Sequence, residues 1–452
     1  MQFVERYRWI PGLKVEYHLG LDGIGLAMVA LSALVVPMAL LVSERLANSR
    51  FCALILFLQA GLFGTFTALN FFHWFLFWEL SLVPAYLLVR FWGGAGAGEQ
   101  SNQFLIYTLV GSVAMLLGFL ALYLGVGTWD FQELAQLSAS GELTERLAGT
   151  LSWTSPESLL RWVFLGVFLG LAVKIPLFPF HTWLPGTYQV ASTGVTLLLT
   201  AALSKMGVYV CLRILLPIFC DQLREMMTPL LVIAVATILL SALAALVQTD
   251  LKRLLAYSSV NHLGYCFLAV LAVAQGTGQG VTAELDQWSA VNGVAFQMVH
   301  HGIAAATLFA FVGFLESRSG GRTGLHDFGG LRQVAPWFCG LMGVAVFASL
   351  GLPGLSGFIG EFLIFKAAFA LLTPAAVLSS LGLLLTAVFM LRLWQKIFYG
   401  PLAEKCQGFG DLSLKERCLA VPAAGLLIVL GVCPQLLISR LNQAVLQLVE
   451  GL

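Results

Sequence analysis

Four charged side chains lie well inside long apolar runs of this 452-residue sequence. A charged group at the centre of a lipid bilayer costs about 2.5–3.5 kcal/mol even on the lenient insertion scale. Each of the four is therefore expected to face the protein interior, with a partner or water beside it. They are Glu79 in FLFWELSLVP, Lys174 in LAVKIPLF, Lys205 in LTAALSKMGVY and Glu361 in LSGFIGEFLIF.

Lysines and glutamates in such positions can transfer protons without any redox group. Burial disfavours the charged form of either side chain, and a nearby opposite charge restores it. Separation of a buried Lys–Glu pair therefore releases a proton, and closure of the pair takes one up. The alternative interpretation is that these residues form static ion pairs that hold helices together.

The histidines extend the same hypothesis. His181, His262, His300 and His301 lie in or beside apolar runs, and an unperturbed imidazole titrates near pH ~6.5, which suits a relay between lysines. His300 and His301 are neighbours, so they point to different faces of one helix and cannot both line one narrow path. A buried histidine can also serve only as a hydrogen-bond donor, and no motif supports a haem ligand.

Two helices are expected to be broken beside these ionisable residues. The stretch LAVKIPLFPFHTWLP, residues 171–185, sets Pro176 and Pro179 after Lys174, and proline removes a backbone donor and interrupts a helix. A second break is predicted at Gly351–Pro353–Gly354, ahead of Glu361. Irregular backbone at membrane depth is tolerated chiefly where it lines a hydrated cavity.

The overall composition supports a membrane environment. Hydrophobic residues make up 59% of the chain and charged residues only 10%, with a mean hydropathy of +0.89, so the chain is predicted to be an all-α polytopic protein of the lipid bilayer. A net charge of +1 with scattered basic residues argues against a nucleic-acid partner. The eight cysteines have no CxxC or CxxCH spacing, so neither a metal nor a cofactor is expected in this chain.

Apolar runs of about 20 residues predict about twelve transmembrane helices. Their approximate bounds are 24–43, 51–70, 71–92, 103–126, 158–184, 190–217, 228–248, 252–274, 289–316, 336–372, 375–398 and 416–437.

Basic residues in the loops predict the orientation. Lys and Arg concentrate after the first, third, seventh, ninth and eleventh helices, whereas the connection 127–157 is acidic. Since positive charge marks the cytoplasmic side, both termini are predicted to be external, in the inner (cytoplasmic) membrane of a bacterium. Arg6, Arg8 and Lys14 stand against this orientation. The whole chain, 1–452, is expected to be one transmembrane domain, with inverted repeats at about 51–217 and 228–398.

Six motifs in order resemble the antiporter-like M subunit of respiratory complex I, the proton-pumping NADH:quinone oxidoreductase, and its photosynthetic D-subunit relatives. The resemblance runs from about residue 17 to 437, and it implies two inverted five-helix repeats, each with a broken helix, and a hydrophilic axis along the membrane middle. The motifs are FLFWELSLVPAYLL, AVKIPLFPFHTWLP, LSKMGVYVCLRI, QTDLKRLLAYSSVNHLGY, MVHHGIAAATLF and GLPGLSGFIGEFLIF.

The resemblance assigns a role to each candidate residue by position. Glu79 matches the glutamate that pairs with the first lysine, and Lys174 matches that lysine, in the first broken helix. Lys205 matches the central lysine. His262 and His301 match the histidines of the axis, and Glu361 matches the glutamate of the second broken helix. His181 matches the histidine of the HxWLP motif.

One segment departs from the family pattern. The usual WLPDAHxEAPT reads WLPGTYQVAST here, so Gly186 replaces an aspartate and Tyr188 a histidine. The segment is therefore expected to be an intact relay station with an altered cavity mouth.

The sequence thus predicts a proton-translocating subunit of a complex I-like NADH (or ferredoxin):quinone oxidoreductase, with the redox chemistry and its cofactors in other subunits. Its expected partners are other membrane subunits, the lipid bilayer and protons. One alternative is a subunit of an Mrp-type cation/proton antiporter, a membrane-bound hydrogenase or an inorganic-carbon uptake complex. The other is a structural subunit that only bridges neighbouring pumps.

Overall fold

The computed structural model describes residues 1–277 and 280–452. A two-stranded hairpin is followed by helices that pack into one bundle. Within the described residues, ten helices are long and apolar enough to cross a membrane, or eleven if one bent pair is counted as a span. The chain is therefore an integral membrane protein, and the predicted all-α polytopic class is confirmed.

The elements follow one another without a separate domain between them. In chain order they are β1 (Gln2–Ile10), β2 (Val15–Leu21), α1 (Gly23–Val42), α2 (Ser49–Thr67), α3 (Phe71–Trp92), α4 (Ala97–Val126), α5 (Phe131–Ala139), α6 (Glu142–Arg146), α7 (Pro156–Lys174), α8 (Trp183–Val190), α9 (Thr193–Glu225), α10 (Met227–Val247), α11 (Leu251–Gly276), α12 (Val281–Ser319), α13 (Pro336–Ser349), α14 (Ser356–Leu371), α15 (Thr373–Phe398), α16 (Leu414–Val432) and α17 (Gln435–Glu450).

Both predicted breaks are confirmed. The run 158–184 is helical only to Lys174, and the helix resumes at Trp183 after an irregular turn. The run 336–372 divides into α13 and α14, neither of which is long enough to cross a membrane alone. The division of 336–372 and the bend between α16 and α17 explain why twelve apolar runs give ten or eleven single spans.

Helix α9 contains two wider turns that the sequence analysis did not predict. Residues Leu199–Leu203 and Cys211–Leu215 adopt π-helical geometry. A π turn shifts the backbone pairing and frees a carbonyl for another donor, and such turns occur frequently at functional sites. Here the freed carbonyl is that of Thr200, which accepts hydrogen bonds from two side chains.

Two features near the chain ends differ from the predicted spans. The N-terminal segment, for which no element was predicted, forms the β1–β2 hairpin with Ile10 opposite Val15, and Lys14 turns the chain with a φ of 50°. The last predicted span, 416–437, is not one helix, because α16 ends at Val432 and α17 leaves it at 66°.

The bundle has two faces that differ in their loops. The hairpin, the 127–155 connection and both chain ends lie on one face, where Met1 and Gly451 line the same cavity; we call it the terminal face. The opposite face, here the basic face, has the loops after α1, α3, α10, α12 and α15. Helices α9, α11 and α12 are almost entirely buried between the other spans, so polar side chains on them lie inside the protein.

Candidate functional site

Lys205 lies at the centre of the bundle and is fully buried. Its Nζ donates to the carbonyl oxygen of Thr200 at 2.6 Å and lies 3.3 Å from Ser204 Oγ. The nitrogen is also 2.5 Å from His301 Nδ1, which reaches it from α12. The ligands of the ammonium group are therefore a π-turn carbonyl, a hydroxyl and an imidazole.

A line of side chains continues from Lys205 toward α14. The rings of His301 and His262 are 5.1 Å apart between centroids. His262 Nδ1 then lies 3.3 Å from Glu361 Oε1, within ion-pair distance but without hydrogen-bond alignment. The structure thus brings together four of the predicted site residues, Lys205, His301, His262 and Glu361, on three buried helices and the second broken span.

The neighbouring histidines diverge as expected. Whereas His301 faces Lys205, His300 turns to α14, where its Nδ1 lies 2.8 Å from Ser356 Oγ. Both imidazoles are buried. His300 therefore contacts the start of the helix that holds Glu361 instead of standing in the line.

The structure does not bring Glu79 and Lys174 within ion-pair distance of each other. Lys174 is buried, and its Nζ lies 4.7 Å from the ring centroid of Trp78, a cation–π distance. The Trp78 ring is fixed by a 3.0 Å hydrogen bond from its Nε1 to Ser112 Oγ. Glu79 Oε1 is buried without a hydrogen-bond partner among the described residues, although Glu79 still acts on Lys174 electrostatically.

Close helix packing places Lys174 beside the helix of Lys205. A Cβ at Gly207 would come within 2.6 Å of Ile175 Cγ1 and 3.2 Å of Ile175 N, so glycine is what allows α9 to approach the break after α7. No hydrogen bond within the described residues joins Lys174 to Lys205. Lys174 is therefore a separate station next to the line.

His181 does not join the other candidates. It lies half-buried in the turn between α7 and α8, 5.8 Å from the ring of Phe178. Its Nδ1 has no hydrogen-bond partner in the part of the chain that the structure describes.

The altered segment is placed differently from expectation. Gly186 does face a cavity at the basic face, but Tyr188 is 1% exposed and points into the bundle, where its hydroxyl interacts with those of Thr200 and Ser204. A Cβ at Gly186 would lie 1.8 Å from Gln100 Oε1, so that amide occupies the space of a larger side chain.

Sequence reasoning missed the neutral polar groups around the line. Gln297 is fully buried, and its Nε2 lies 3.3 Å from His262 Nδ1. Asn292, on the same helix, is also buried. An amide inside an apolar run is the signal that would have found both residues, because a buried polar group needs a partner.

Several polar atoms along the line have no partner in the described ranges, 1–277 and 280–452. Buried polar atoms are nearly always paired, and water supplies the missing partner where a site is polar. The line therefore needs water to be fully satisfied. The atoms are His262 Nε2, His300 Nε2, Asn292 Oδ1, Gln297 Oε1, Tyr265 Oη and Glu361 Oε1.

A second ion pair lies toward the basic face. Lys252 is buried, and its Nζ lies 2.7 Å from Glu316 and 3.2 Å from the carbonyl oxygen of Ala191. Glu316 also accepts a hydrogen bond from Thr193 Oγ1. The pair connects α11, α12 and the junction between α8 and α9.

The arrangement can bind a proton on a buried amine and pass it through two imidazoles to a carboxylate. Every group in the line exchanges protons reversibly, and none is a redox centre.

Comparisons with known proteins agree with this architecture. Residues 68–389 match the family described as "NADH:quinone oxidoreductase/Mrp antiporter, TM". The F(420)H(2) dehydrogenase subunit M of Methanosarcina mazei is 35% identical over 100% of this chain and 88% of its own length. The NADH-quinone oxidoreductase subunit M of Rhodobacter capsulatus is 33% identical over 100% of this chain and 85% of its own.

Solved structures give the same result. A chain of respiratory complex I from Thermus thermophilus superposes with a TM-score of 0.85 and 29% identity, over 99% of this chain and 89% of that one. A chain of the Mrp complex from Dietzia sp. shares the fold, with a TM-score of 0.83 and 22% identity over 99% and 88% of the two chains. Both are membrane subunits of larger assemblies. The chain therefore belongs to the NADH:quinone oxidoreductase/Mrp antiporter transmembrane family.

Proposed function

We propose that this chain is the proton-translocating membrane subunit of a complex I-like quinone oxidoreductase, with NADH or ferredoxin oxidised by other subunits. The observation that supports the proposal is the line from Lys205 through His301 and His262 to Glu361, with contacts of 2.5 Å, 5.1 Å between rings, and 3.3 Å. Relatives 31–35% identical over nearly the whole chain are M subunits of such dehydrogenases.

In the proposed transfer, His301 Nδ1 accepts a proton from the Lys205 ammonium. The resulting imidazolium releases a proton toward His262, whose ring centroid is 5.1 Å away. A water molecule that hydrogen-bonds to both rings would carry this proton. His262 passes the proton to Glu361. Since the His262–Glu361 contact lacks hydrogen-bond alignment, a small rotation of either side chain completes this step.

Glu79 and Lys174 are proposed to couple the line to events elsewhere in the assembly. In the structure this pair is open, and Lys174 contacts Trp78. Closing the pair would stabilise a proton on Lys174, and opening it would release that proton toward Lys205. His181, in the adjacent turn, is proposed as a further station only where water joins it to this pair.

We place the basic face in the cytoplasm, the terminal face outside, and the chain in the inner membrane of a bacterium. The excess of Lys and Arg in the basic-face loops supports this orientation. The two broken spans are proposed to belong to inverted repeats at about 51–217 and 228–398, because each break has a candidate residue close to it. Lys174 ends the helix before the first break, and Glu361 lies in the helix after the second.

Replacement of Lys205 by alanine tests the function. In the assembled complex, reconstituted into vesicles, Lys205→Ala should lower proton translocation per electron by about tenfold or more, the scale of a lost acid–base group. Lys415→Ala is the matched control, because that lysine has a side chain 75% exposed at the basic face. If Lys205→Ala assembles and pumps at the wild-type ratio, the chain is a structural bridge and the proposal fails.

A second candidate is a subunit of an Mrp-type cation/proton antiporter, which the description of the matched family itself includes. Purification of the complex distinguishes the two. Co-purification of a peripheral subunit with flavin or iron–sulfur absorbance supports the oxidoreductase. An assembly without such subunits, whose proton transport depends on sodium, supports the antiporter.

A further inference from the structure

We propose that a ladder of hydroxyl groups on α9 and on Ser192, directly before this helix, together with Tyr188 conducts protons from the basic face to Lys205. The hydroxyl ladder consists of Ser192, Thr196, Thr200 and Ser204, with Tyr188 beside its inner half. The inference deepens the proposed function, on which it rests, by naming the access route to the central lysine.

The spacing of the ladder follows the helix. Its four members are each four residues apart, so they lie on one side of the helix at intervals of about one turn. Thr196, Thr200 and Ser204 are buried. A hydroxyl both accepts and donates hydrogen bonds, so a row of hydroxyls can pass a proton along without holding a fixed charge.

The inner end of the ladder reaches Lys205. Ser204 Oγ lies 3.3 Å from Lys205 Nζ and donates to the Thr200 carbonyl at 2.7 Å. Thr200 Oγ1 is 2.9 Å from Ser259 Oγ on α11, which adds a parallel hydroxyl. The π turn at Leu199–Leu203 directs Ser204 and Lys205 to the same carbonyl, and so places the last hydroxyl against the lysine.

Tyr188, on α8, contacts the ladder through two different groups. It is 1% exposed, and its hydroxyl interacts with both Thr200 and Ser204. Its backbone carbonyl accepts a 3.1 Å hydrogen bond from Thr196 Oγ1. Tyr188 therefore contacts three of the four members of the ladder, and its phenol interacts with the two inner ones.

The outer end of the ladder opens at the basic face. Ser192 and Thr193 line a cavity of about 440 Å³ together with Glu316. Ser192 Oγ has no hydrogen-bond partner among the described residues, while Thr193 bonds to Glu316, which pairs with Lys252. A carboxylate at this opening provides a group that can collect protons from the basic face.

The position of Tyr188 suggests a role for the replacement of the family's histidine by tyrosine. Where that pattern has a histidine, this chain has a phenol aimed at two hydroxyls. Both side chains can accept and donate a proton, but a phenol is neutral across the physiological range whereas an imidazole is not. The substitution thus retains conduction and removes a group that titrates near neutral pH.

Two substitutions at this position test the proposal in the assembled complex. Tyr188→Phe removes the hydroxyl and keeps the ring, which packs at 6.0 Å against Phe309. We expect it to lower proton translocation per electron by about tenfold. Tyr188→His should restore most of the proton translocation per electron, with an added pH dependence near ~6.5 from the new imidazole.

The matched control is Tyr209→Phe, on α9, the helix that holds Lys205. Tyr209 is also buried, but its hydroxyl donates to the carbonyl oxygen of Phe66 at 2.9 Å, away from the ladder. It should lose stability and keep the wild-type proton ratio.

The hydroxyl ladder and the proposed function can be tested separately when Lys205→Ala is measured in parallel. Wild-type pumping by Tyr188→Phe overturns the ladder, and so does equal slowing by Tyr188→Phe and Tyr188→His, which would show a packing role. If Lys205→Ala loses proton translocation while Tyr188→Phe keeps it, the hydroxyl ladder is wrong and the proposed function stands. If both pump normally, the proposed function fails as well.

Discussion

At the scale of single residues, the two lysines of the candidate site, Lys174 and Lys205, are held by uncharged groups. Neither Lys174 nor Lys205 has a carboxylate within 4.0 Å in the described chain; the first contacts the ring of Trp78 and the second a carbonyl, a hydroxyl and His301. An ion pair would have to be broken before a proton could leave. Uncharged ligands allow binding and release without that step, which suits a relay better than a static pair.

The two adjacent histidines offer a test in which each is the control for the other. His301→Gln should keep a polar partner for Lys205 but cannot accept and pass on a proton, so proton translocation per electron should fall by about tenfold or more. His300→Gln removes an imidazole of equal burial that contacts Ser356 instead. It should pump near the wild-type ratio.

The measurement is the proton-to-electron ratio of assembled complex in vesicles. Equal ratios for His301→Gln and the wild type would remove His301 from the line. A loss in His300→Gln with normal pumping by His301→Gln would move the route to the contact with α14.

At the scale of helices, glycines set how closely the elements of the site approach. A Cβ at Gly293 of α12 would lie 2.8 Å from the backbone nitrogen of Ile364 in α14, three residues after Glu361. This contact holds the helix of Glu361 against the helix of His301. A backbone atom cannot move aside as a side chain can, so the glycine is required by packing.

Gly293→Ala should therefore destabilise the protein by about 1–3 kcal/mol, the usual cost of overpacking a tight contact. Gly340→Ala, on α13, is the control, because nothing lies within 4 Å of its added Cβ. That change should be neutral or stabilising by up to about 1 kcal/mol. Thermal melts of the purified protein in detergent measure both. Equal melting temperatures for the two variants would contradict the close-packing argument.

The helices also show which features could be predicted from sequence. Long apolar runs placed the spans, and Pro176 and Gly351 marked the breaks, because each acts through its own local chemistry. The π turns of α9 could not be predicted in the same way. They depend on how Lys205 and Ser204 share the Thr200 carbonyl, which is a tertiary arrangement.

In the candidate site, too, residue types could be predicted from sequence whereas tertiary contacts could not. Charged residues inside apolar runs identified Lys205 and Glu361, whereas the separation of Glu79 from Lys174 depends on a contact with Trp78 that no spacing encodes. Tyr188 was taken for a residue at the cavity mouth because α8 was too short to show which of its sides faces inward. Its burial follows from packing against α9 and Phe309.

At the scale of the whole molecule, the two faces are built differently. The terminal face is covered by the hairpin, which is pinned by a 2.9 Å contact between His18 and Asp130, and by α17, where Gly23 fits against the backbone of Arg440. The hairpin was not predicted because the side chains of β1 are exposed and the strand is too short to be taken for a transmembrane run. The basic face instead has open cavities beside Glu316 and Gly186.

These two faces make the proposed orientation testable by labelling. Ser140→Cys lies in the exposed connection of the terminal face, and Gly408→Cys in an exposed loop of the basic face with no atom within 4 Å. Each is made in a background where Cys52, Cys418 and Cys433, the cysteines that are not buried, are alanine.

A membrane-impermeant maleimide added to intact cells should label Ser140→Cys and leave Gly408→Cys unlabelled until the membrane is permeabilised. The reason is electrostatic, since Lys and Arg near the helix ends hold the basic face on the cytoplasmic side during insertion. The reverse pattern would place the basic face outside, and the hydroxyl ladder would then open to the exterior and serve for proton release. Labelling of both positions from one side would contradict the two-faced architecture itself, because the loops before α6 and after α15 would then share a face.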